Sequence, residues 1–184
     1  MDGQPQPENA VNLKTALMAL AMALSFQAQA GISTIVGDTT GDPTFNRPLE
    51  DLSALSGVGI GVHYDAYTLS PSIGGDYTFL TTGEFDTFVI LYDTSFDPTS
   101  SLTNAIVASD DLLSPPFTTS GFAAPLLAGA TYVLVVTSFA PDDFGAHSTT
   151  IGGPGVVSLV PEPGGYALMA LGLLAVGLRA RRRA

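Results

Sequence analysis

TFVILY (residues 87–92) and TYVLVVT (residues 131–137) are the two most informative stretches of this 184-residue sequence. Each is a nearly continuous run of aliphatic, aromatic and β-branched residues. Runs of this length and composition are typical of β-strands. Because almost no position in them is polar, we predict that both strands are covered on both faces.

Shorter β-rich runs surround these two stretches and are separated by clusters of Gly, Pro, Asp and Ser, a pattern typical of a sandwich or jelly roll. The sequence therefore predicts an all-β fold, a single β-sandwich or jelly-roll-like domain at residues 31–159. One short helical turn is predicted at Leu49–Leu55. The predicted strands are Val58–Leu69, Asp76–Thr82, Thr87–Tyr92, Ala105–Ala108, Gly121–Leu126, Thr131–Ser138 and Ser148–Ile151.

The predicted domain is strongly acidic. Residues 31–160 contain 14 of the 17 acidic residues and one basic residue, Arg47, so their net charge is −13. Such a surface repels phosphate backbones and anionic lipid headgroups, which argues against nucleic acid as a partner. The chain has no cysteine, which excludes disulfides, thiolate catalysis and cysteine-based zinc sites.

The N-terminal 30 residues have the composition of a secretory signal peptide. Lys14 precedes an apolar run, Ala16–Phe26, that is too short to span a bilayer comfortably. Ala28 and Ala30 are the small residues that a signal peptidase recognises, so cleavage is expected between Ala30 and Gly31. Residues 1–10 are acidic and do not suit a signal peptide, and we interpret them as a mis-assigned translation start.

The C-terminal 25 residues have three parts in a fixed order. The motif Val160-Pro161-Glu162-Pro163 is expected to be extended and exposed, because proline fixes φ and lacks an N–H donor. An apolar segment, residues 164–178, predicts a short transmembrane helix. The basic tail, residues 179–184, should stay in the cytoplasm by the positive-inside rule. Its basic residues are Arg179, Arg181, Arg182 and Arg183.

This tripartite tail resembles the PEP-CTERM sorting signal, over residues 160–184. The resemblance implies recognition by an exosortase in the inner membrane of a Gram-negative bacterium and processing near Pro161-Glu162-Pro163. Transient anchoring in that membrane would precede display at the cell surface or release, commonly in producers of extracellular polysaccharide. An ordinary C-terminal membrane anchor is the alternative. Both readings place the bulk of the chain outside the cytoplasm.

The middle region is loosely similar to bacterial pre-peptidase C-terminal domains, which are β-sandwiches. The similarity lies in the order of segments: FDTF (85–88), the DD pair (110–111) and AGATYVLVV (128–136). It concerns fold and arrangement, and it carries no catalytic residues with it.

Two aspartate pairs in predicted loops are the candidate metal ligands, and the metal would be calcium. Calcium takes six to eight oxygen ligands, mostly from carboxylates, carbonyls and water. If both loops lie at one end of the sandwich, four carboxylates can converge there, with Asp86 or Asp93 as additions. The simpler alternative is that these are solvated turn residues. The candidate ligands are Asp110, Asp111, Asp142 and Asp143.

Nothing in the sequence marks a catalytic site. His63 and His147 are the only histidines, and no G-x-S-x-G segment marks a nucleophile. Phe96 and Phe144, in predicted loops, are the aromatic residues expected to be exposed for contact with extracellular polysaccharide. We therefore expect an exported, non-catalytic cell-surface or extracellular-matrix protein. A calcium-dependent carbohydrate-binding module and an unrecognised hydrolase remain as alternatives.

Overall fold

The computed structural model describes residues 30–112 and 115–160, together with Arg179. Most of the predicted signal peptide, including Ala28, lies outside the described residues. So do Pro161, Glu162 and Pro163, the apolar segment at 164–178, and Arg181, Arg182 and Arg183. Within the described part of the chain, no helix is long and apolar enough to cross a membrane.

Ten β-strands are present within residues 30–112 and 115–160, in agreement with the predicted all-β class. They are β1 (Gly31–Asp38), β2 (Thr44–Pro48), β3 (Leu55–Pro71), β4 (Gly75–Gly83), β5 (Thr87–Asp93), β6 (Ala105–Ser109), β7 (Thr119–Leu126), β8 (Tyr132–Ser138), β9 (Ala146–Gly153) and β10 (Val157–Leu159).

The strands build two antiparallel sheets that pack as a sandwich. One sheet has four strands in the order β1-β9-β4-β7. The other has the order β10-β3-β8-β5-β6, and β2 pairs with the first half of β3. The register aligns Thr87 with Ser138 and Gly83 with His147. The β4–β5 and β8–β9 loops therefore emerge at the same end of the sandwich.

The inner core lies between the two sheets and takes alternate residues of the central strands. Side chains from β5 and β8 pack there against the inward face of the four-stranded sheet. They are Val89, Leu91, Leu134 and Val136, and they form one buried cluster with Ile35, Tyr77, Phe79 and Ile151.

An outer core covers the opposite face of the same two strands. The remaining residues of β5 and β8 pack against side chains of β2 and of the first half of β3, the part that pairs with β2. This cluster contains Phe45, Val62, Phe88, Ile90, Tyr92, Val133 and Val135. The prediction that both strands are covered on both faces is confirmed.

Three strands were not predicted, and each lacks a readable hydrophobic pattern. In β1 two of the four exposed residues, Ile32 and Val36, are apolar and more than 70% exposed, which obscures the usual alternation. Strand β2 carries an inward-facing arginine, Arg47, and ends at a proline. Strand β10 has only three residues.

The predicted helical turn at Leu49–Leu55 is wrong. These residues connect β2 to β3 through a hairpin loop, in which Leu49 N–H donates to Ala54 O and Leu52 N–H donates to Leu49 O. The Asp51 carboxylate accepts a hydrogen bond from Ser53 N–H. Such side-chain bonds to local backbone compete with helix formation, and the pairing of β2 with β3 closes the segment as a turn.

Candidate functional site

Three carboxylates meet at the end of the sandwich where β5 begins and β6 ends. Asp86 lies in the β4–β5 loop, and Asp110 and Asp111 directly follow β6. One carboxylate oxygen from each of the three lies within 4.8 Å of the others. We call Asp86, Asp110 and Asp111 the aspartate cluster.

Two oxygen atoms of the aspartate cluster are buried without a partner. Oδ1 of Asp86 and Oδ1 of Asp110 are out of contact with solvent and accept no hydrogen bond within the described residues. A buried carboxylate oxygen normally has a donor or a cation beside it, since leaving it unpaired costs free energy. The geometry therefore suits a hard cation, which would complete its coordination with water and carbonyl oxygens.

The electrostatics of the cluster agree with its geometry. Burial, followed by the charges of Asp111 and Asp110, raises the pKa of Asp86 to about 6. Burial and the charge of Asp111 raise the pKa of Asp110 to about 6. Both carboxyl groups thus hold a proton to higher pH than a solvated aspartate, and a bound cation would displace it.

A buried arginine lies beside the aspartate cluster without a described hydrogen bond to any carboxylate. Arg47 is 2% exposed, and its Nε and Nη2 donate to the carbonyl oxygen of Phe139 at 3.2 and 2.9 Å. Its Nη1 donates to the carbonyl oxygen of Pro48 at 3.1 Å. The guanidinium carbon stands 4.1 Å from the ring centre of Phe88. Burial lowers the pKa of Arg47, and the charges of Asp110 and Asp86 oppose that shift.

The other predicted ligands lie outside the cluster. Asp142 and Asp143 occupy the β8–β9 loop at the same end of the sandwich, but neither belongs to the group of three. The charge of Asp143 still raises the pKa of Asp86. Asp93 ends β5, at the far end of that strand from Asp86. The structure thus joins Asp110 and Asp111 to Asp86, one of the two suggested additions.

A second group of titratable residues was not found from the sequence. His147 is buried, and its Nε2 lies 2.8 Å from Oδ2 of Asp65. The hydroxyl of Tyr67 donates to the same Asp65 oxygen at 3.0 Å. We call Asp42, Asp65, Tyr67 and His147 the histidine–aspartate network. Asp65 and His147 are 82 positions apart, and only the pairing of distant strands brings them together.

The pKa values of Asp65 and Asp42 are shifted in opposite directions. The hydrogen bond from His147 is the main cause that lowers the pKa of Asp65. Burial, followed by the Asp65 carboxyl group, raises the pKa of Asp42. Burial also raises the pKa of Tyr67, so its hydroxyl remains a donor. A side chain at position 37 would overlap the Tyr67 hydroxyl and the Asp65 carboxylate, so only glycine fits at Gly37.

A groove of about 480 Å³ lies beside this network on the outer side of β3. Phe96 lines it and is half-buried, while Phe144, elsewhere, is 46% exposed with its ring edge against His63. The groove is lined by Asp42, Pro43, Tyr64, Asp65, Ala66, Thr68, Thr94, Ser95, Phe96, Pro98 and Val133.

The C-terminal segment matches a known sorting signal. A family model described as PEP-CTERM protein-sorting motif matches residues 159–183. The chain carries a PEP-CTERM motif. The expected resemblance is thereby confirmed, and the motif indicates an exported protein that an exosortase processes at the membrane.

No curated protein matches the sequence. Among solved structures, the chain is similar to the K1 cleaved adhesin domain of Lys-gingipain from Porphyromonas gingivalis W83. The two share 17% identity over 72% of this chain and 99% of that one, with a TM-score of 0.37. CBM35 from Cellvibrio japonicus Abf62 is similar at 13% identity over 70% and 99% of the two chains, also with a TM-score of 0.37.

Proposed function

We propose that this protein is a non-catalytic binding protein of the cell surface or extracellular matrix, delivered through the PEP-CTERM route. The observation that carries the proposal is the sorting motif at residues 159–183. The motif begins where the folded domain ends: Leu159 pairs with Leu69, and Val160 N–H donates to Thr68 O at 2.8 Å. The acidic sandwich is therefore the cargo that the sorting motif delivers.

The arrangement of the histidines supports a non-catalytic role. In a Ser–His–Asp site, one imidazole nitrogen contacts the acid and the other contacts the nucleophile. His147 contacts Asp65 through Nε2, but Nδ1 is buried and has no hydrogen-bond partner within the described residues. The Nδ1 atom of His63 faces the backbone oxygen of Asp42 at 2.6 Å. The hydrogen bonds given for the two imidazoles thus reach a carboxylate and a backbone carbonyl oxygen, and none reaches a hydroxyl group within the described residues.

Cell fractionation combined with mass spectrometry of the mature termini tests this proposal. We expect the processed protein at the cell surface or in the medium, with an N-terminus at Gly31 and a C-terminus near Pro161-Glu162-Pro163. Deletion of residues 161–184 should abolish retention at the surface while leaving the β domain folded. An intact, unprocessed chain in the cytosol would contradict the proposal.

A calcium-dependent carbohydrate-binding module is the second candidate function. The aspartate cluster favours it, because its three carboxylates approach within 4.8 Å of one another. In addition, Oδ1 of Asp86 and Oδ1 of Asp110 are buried without a described partner. A ligand that binds only the folded state increases the free energy of unfolding by mass action, by about 2.7 kcal/mol at a concentration one hundred times Kd, and thereby raises the melting temperature.

The melting temperature with calcium and with a chelator tests this second candidate. We expect calcium to raise it in the native protein and to have little effect in Asp110→Asn. Asp76→Asn is the matched control, because it makes the same charge change on the other sheet. An equal calcium response in all three proteins would show general screening of a net charge of −13 and would rule out the cluster.

A further inference from the structure

The groove beside the histidine–aspartate network has the size and the walls of a ligand site. Its volume of about 480 Å³ lies within the range typical of small-molecule sites, roughly 300–1,000 Å³. The described strands leave it open: β2 pairs with β3 as far as His63, and β10 pairs with β3 from Leu69 onward. Residues 64–68 of β3 lie between these two pairings and pair with β8 along their other edge. Tyr64, Asp65, Ala66 and Thr68 line the groove.

Two aromatic rings in the groove are held in fixed orientations. The rings of Tyr64 and Phe96 stand edge to face with their centres 5.2 Å apart. Both also stand edge to face against Phe45, at 5.1 and 5.4 Å, and Phe45 itself is buried. Rings fixed by such neighbours present their remaining surface at little entropic cost.

The opposite wall contains a strained residue. Thr94 has φ +66°, which is unfavourable for a β-branched side chain. Two contacts hold it there: Thr94 N–H donates to Thr131 O at 3.0 Å, and its hydroxyl donates to Oδ1 of Asp93 at 3.2 Å. Strain of this kind persists where the surrounding structure imposes it and is concentrated at binding sites.

The charge of the groove selects among possible ligands. Asp42 and Asp65 line it, and none of its lining residues is basic. The one arginine of residues 31–160, Arg47, is buried. An anionic saccharide would meet like charge both in the groove and across a domain of net charge −13. A cation would meet two carboxylates and two aromatic rings, which together are a favourable environment for an ammonium group.

We propose that this groove binds a saccharide unit that carries a free ammonium group, and hence that the partner is an amine-bearing polysaccharide. The Asp42 carboxylate receives the ammonium group, Tyr64 and Phe96 pack against the sugar ring, and the hydroxyls of Thr94 and Ser95 bond to its hydroxyls. This inference rests on the proposed delivery of the protein to the cell surface or extracellular matrix.

Three oligosaccharides of equal length test the ligand class. They are a β-1,4-glucosamine hexamer, its fully N-acetylated form and a cellulose-derived hexamer. Binding is measured by calorimetry with the protein expressed from its full-length sequence in its host, with an affinity tag, and purified in the form that the cell makes. We expect the glucosamine hexamer to bind at least about tenfold more tightly than the other two, and high salt to weaken it. Equal binding of the acetylated form would overturn the ammonium assignment.

Three variants test the site. Asp42→Asn removes a groove charge and should weaken glucosamine binding about tenfold. Ala66→Trp fills the groove from an exposed position without changing charge and should weaken binding at least as much. Asp76→Asn makes the same charge change as Asp42→Asn on the other sheet and should leave binding unchanged.

The outcomes separate this inference from the proposed function. If Asp76→Asn weakens binding as much as Asp42→Asn, or if Ala66→Trp has no effect, general electrostatic attraction accounts for the binding and the groove site is overturned. If the protein is processed and displayed but binds no amine-bearing saccharide, this inference fails while the proposed function stands. Retention in the cytosol would instead contradict the proposed function.

Discussion

The aspartate cluster and the histidine–aspartate network lie at the same end of one sandwich but differ in how their charge is balanced. In the network, Nε2 of His147 and the Tyr67 hydroxyl both meet one oxygen of Asp65. In the cluster, the buried oxygens of Asp86 and Asp110 meet no described donor. The pKa of Asp65 is accordingly lowered, and the pKa of Asp86 is raised to about 6.

This difference shows that the protein supplies hydrogen-bond donors to one buried carboxylate and leaves oxygens of two others without a described donor. In the network, the protein itself supplies hydrogen-bond donors to the Asp65 carboxylate. The cluster is incomplete, because the nearest cation, Arg47, directs its described hydrogen bonds to carbonyl oxygens. A group of carboxylates without such donors is the better candidate for an external metal ion.

The largest effect is expected from removing the buried guanidinium. Arg47→Met takes away three hydrogen bonds to carbonyl oxygens and the positive charge nearest to the aspartate cluster. Removing one member of a group of buried, interacting charges costs about 3–5 kcal/mol. We expect to measure this loss as a lower free energy of unfolding in urea. Arg47→Lys keeps the charge but loses the planar guanidinium group. Its free energy of unfolding should lie between those of the native protein and Arg47→Met. A loss below about 1 kcal/mol would show that Arg47 is not required to offset the cluster.

A smaller loss is expected when the network is opened. Asp65→Asn keeps the shape of the side chain but leaves His147 and Tyr67 without a charged acceptor, which should cost about 2 kcal/mol. Because the folded pKa of Asp65 is below the usual 3.8, its contribution is present above that value and is lost as pH falls through the folded pKa. Unfolding at neutral and strongly acidic pH checks this, since native protein and variant should converge in acid.

In the aspartate cluster, we expect the pH dependence of stability to have the opposite sign from that of Asp65. Between pH 3.8 and about 6, folded Asp86 keeps a proton that the unfolded chain releases, so its contribution to stability falls as pH rises through that window. In the presence of a chelator, Asp86→Asn should therefore stabilise the protein at neutral pH, by about 1 kcal/mol after solvent screening, and have little effect near pH 4. With calcium present the variant should instead be the less stable protein. A destabilising effect under both conditions would contradict an open cluster.

The smallest effect is expected at the loop that the structure leaves outside the cluster. Asp143→Asn should change stability by less than about 0.5 kcal/mol, because Asp143 acts on Asp86 only through its charge. Its calcium response should stay close to that of the native protein. A loss of the calcium response as large as in Asp110→Asn would place the β8–β9 loop in the site.

Much of the fold could be predicted because its two central strands have a hydrophobic pattern that neighbouring residues alone reveal. Thr87–Tyr92 and Thr131–Ser138 are apolar at nearly every position, and the structure covers them on both faces. Strand β1 could not be predicted in the same way, since Ile32 and Val36 are exposed while Ser33 and two glycines face inward. Strand β2 was not predicted because it contains Arg47, a charged residue that the fold buries.

The candidate site could be predicted only in part. The Asp110–Asp111 pair stands out in the sequence, whereas its meeting with Asp86 depends on how β5 and β6 pair. No local signal connects Asp65 with His147, or Tyr64 with Phe96, because each pair is joined through strands or loops distant along the chain.

The sequence by itself determined the all-β class, the acidic character of the domain and the sorting motif at residues 159–183. These properties depend on composition and on the order of neighbouring residues, both of which are known without the tertiary structure. Only the tertiary structure decided which carboxylates are paired, which are left open and where the groove lies. The reason is that strand register and packing place side chains from distant positions within hydrogen-bond reach of one another.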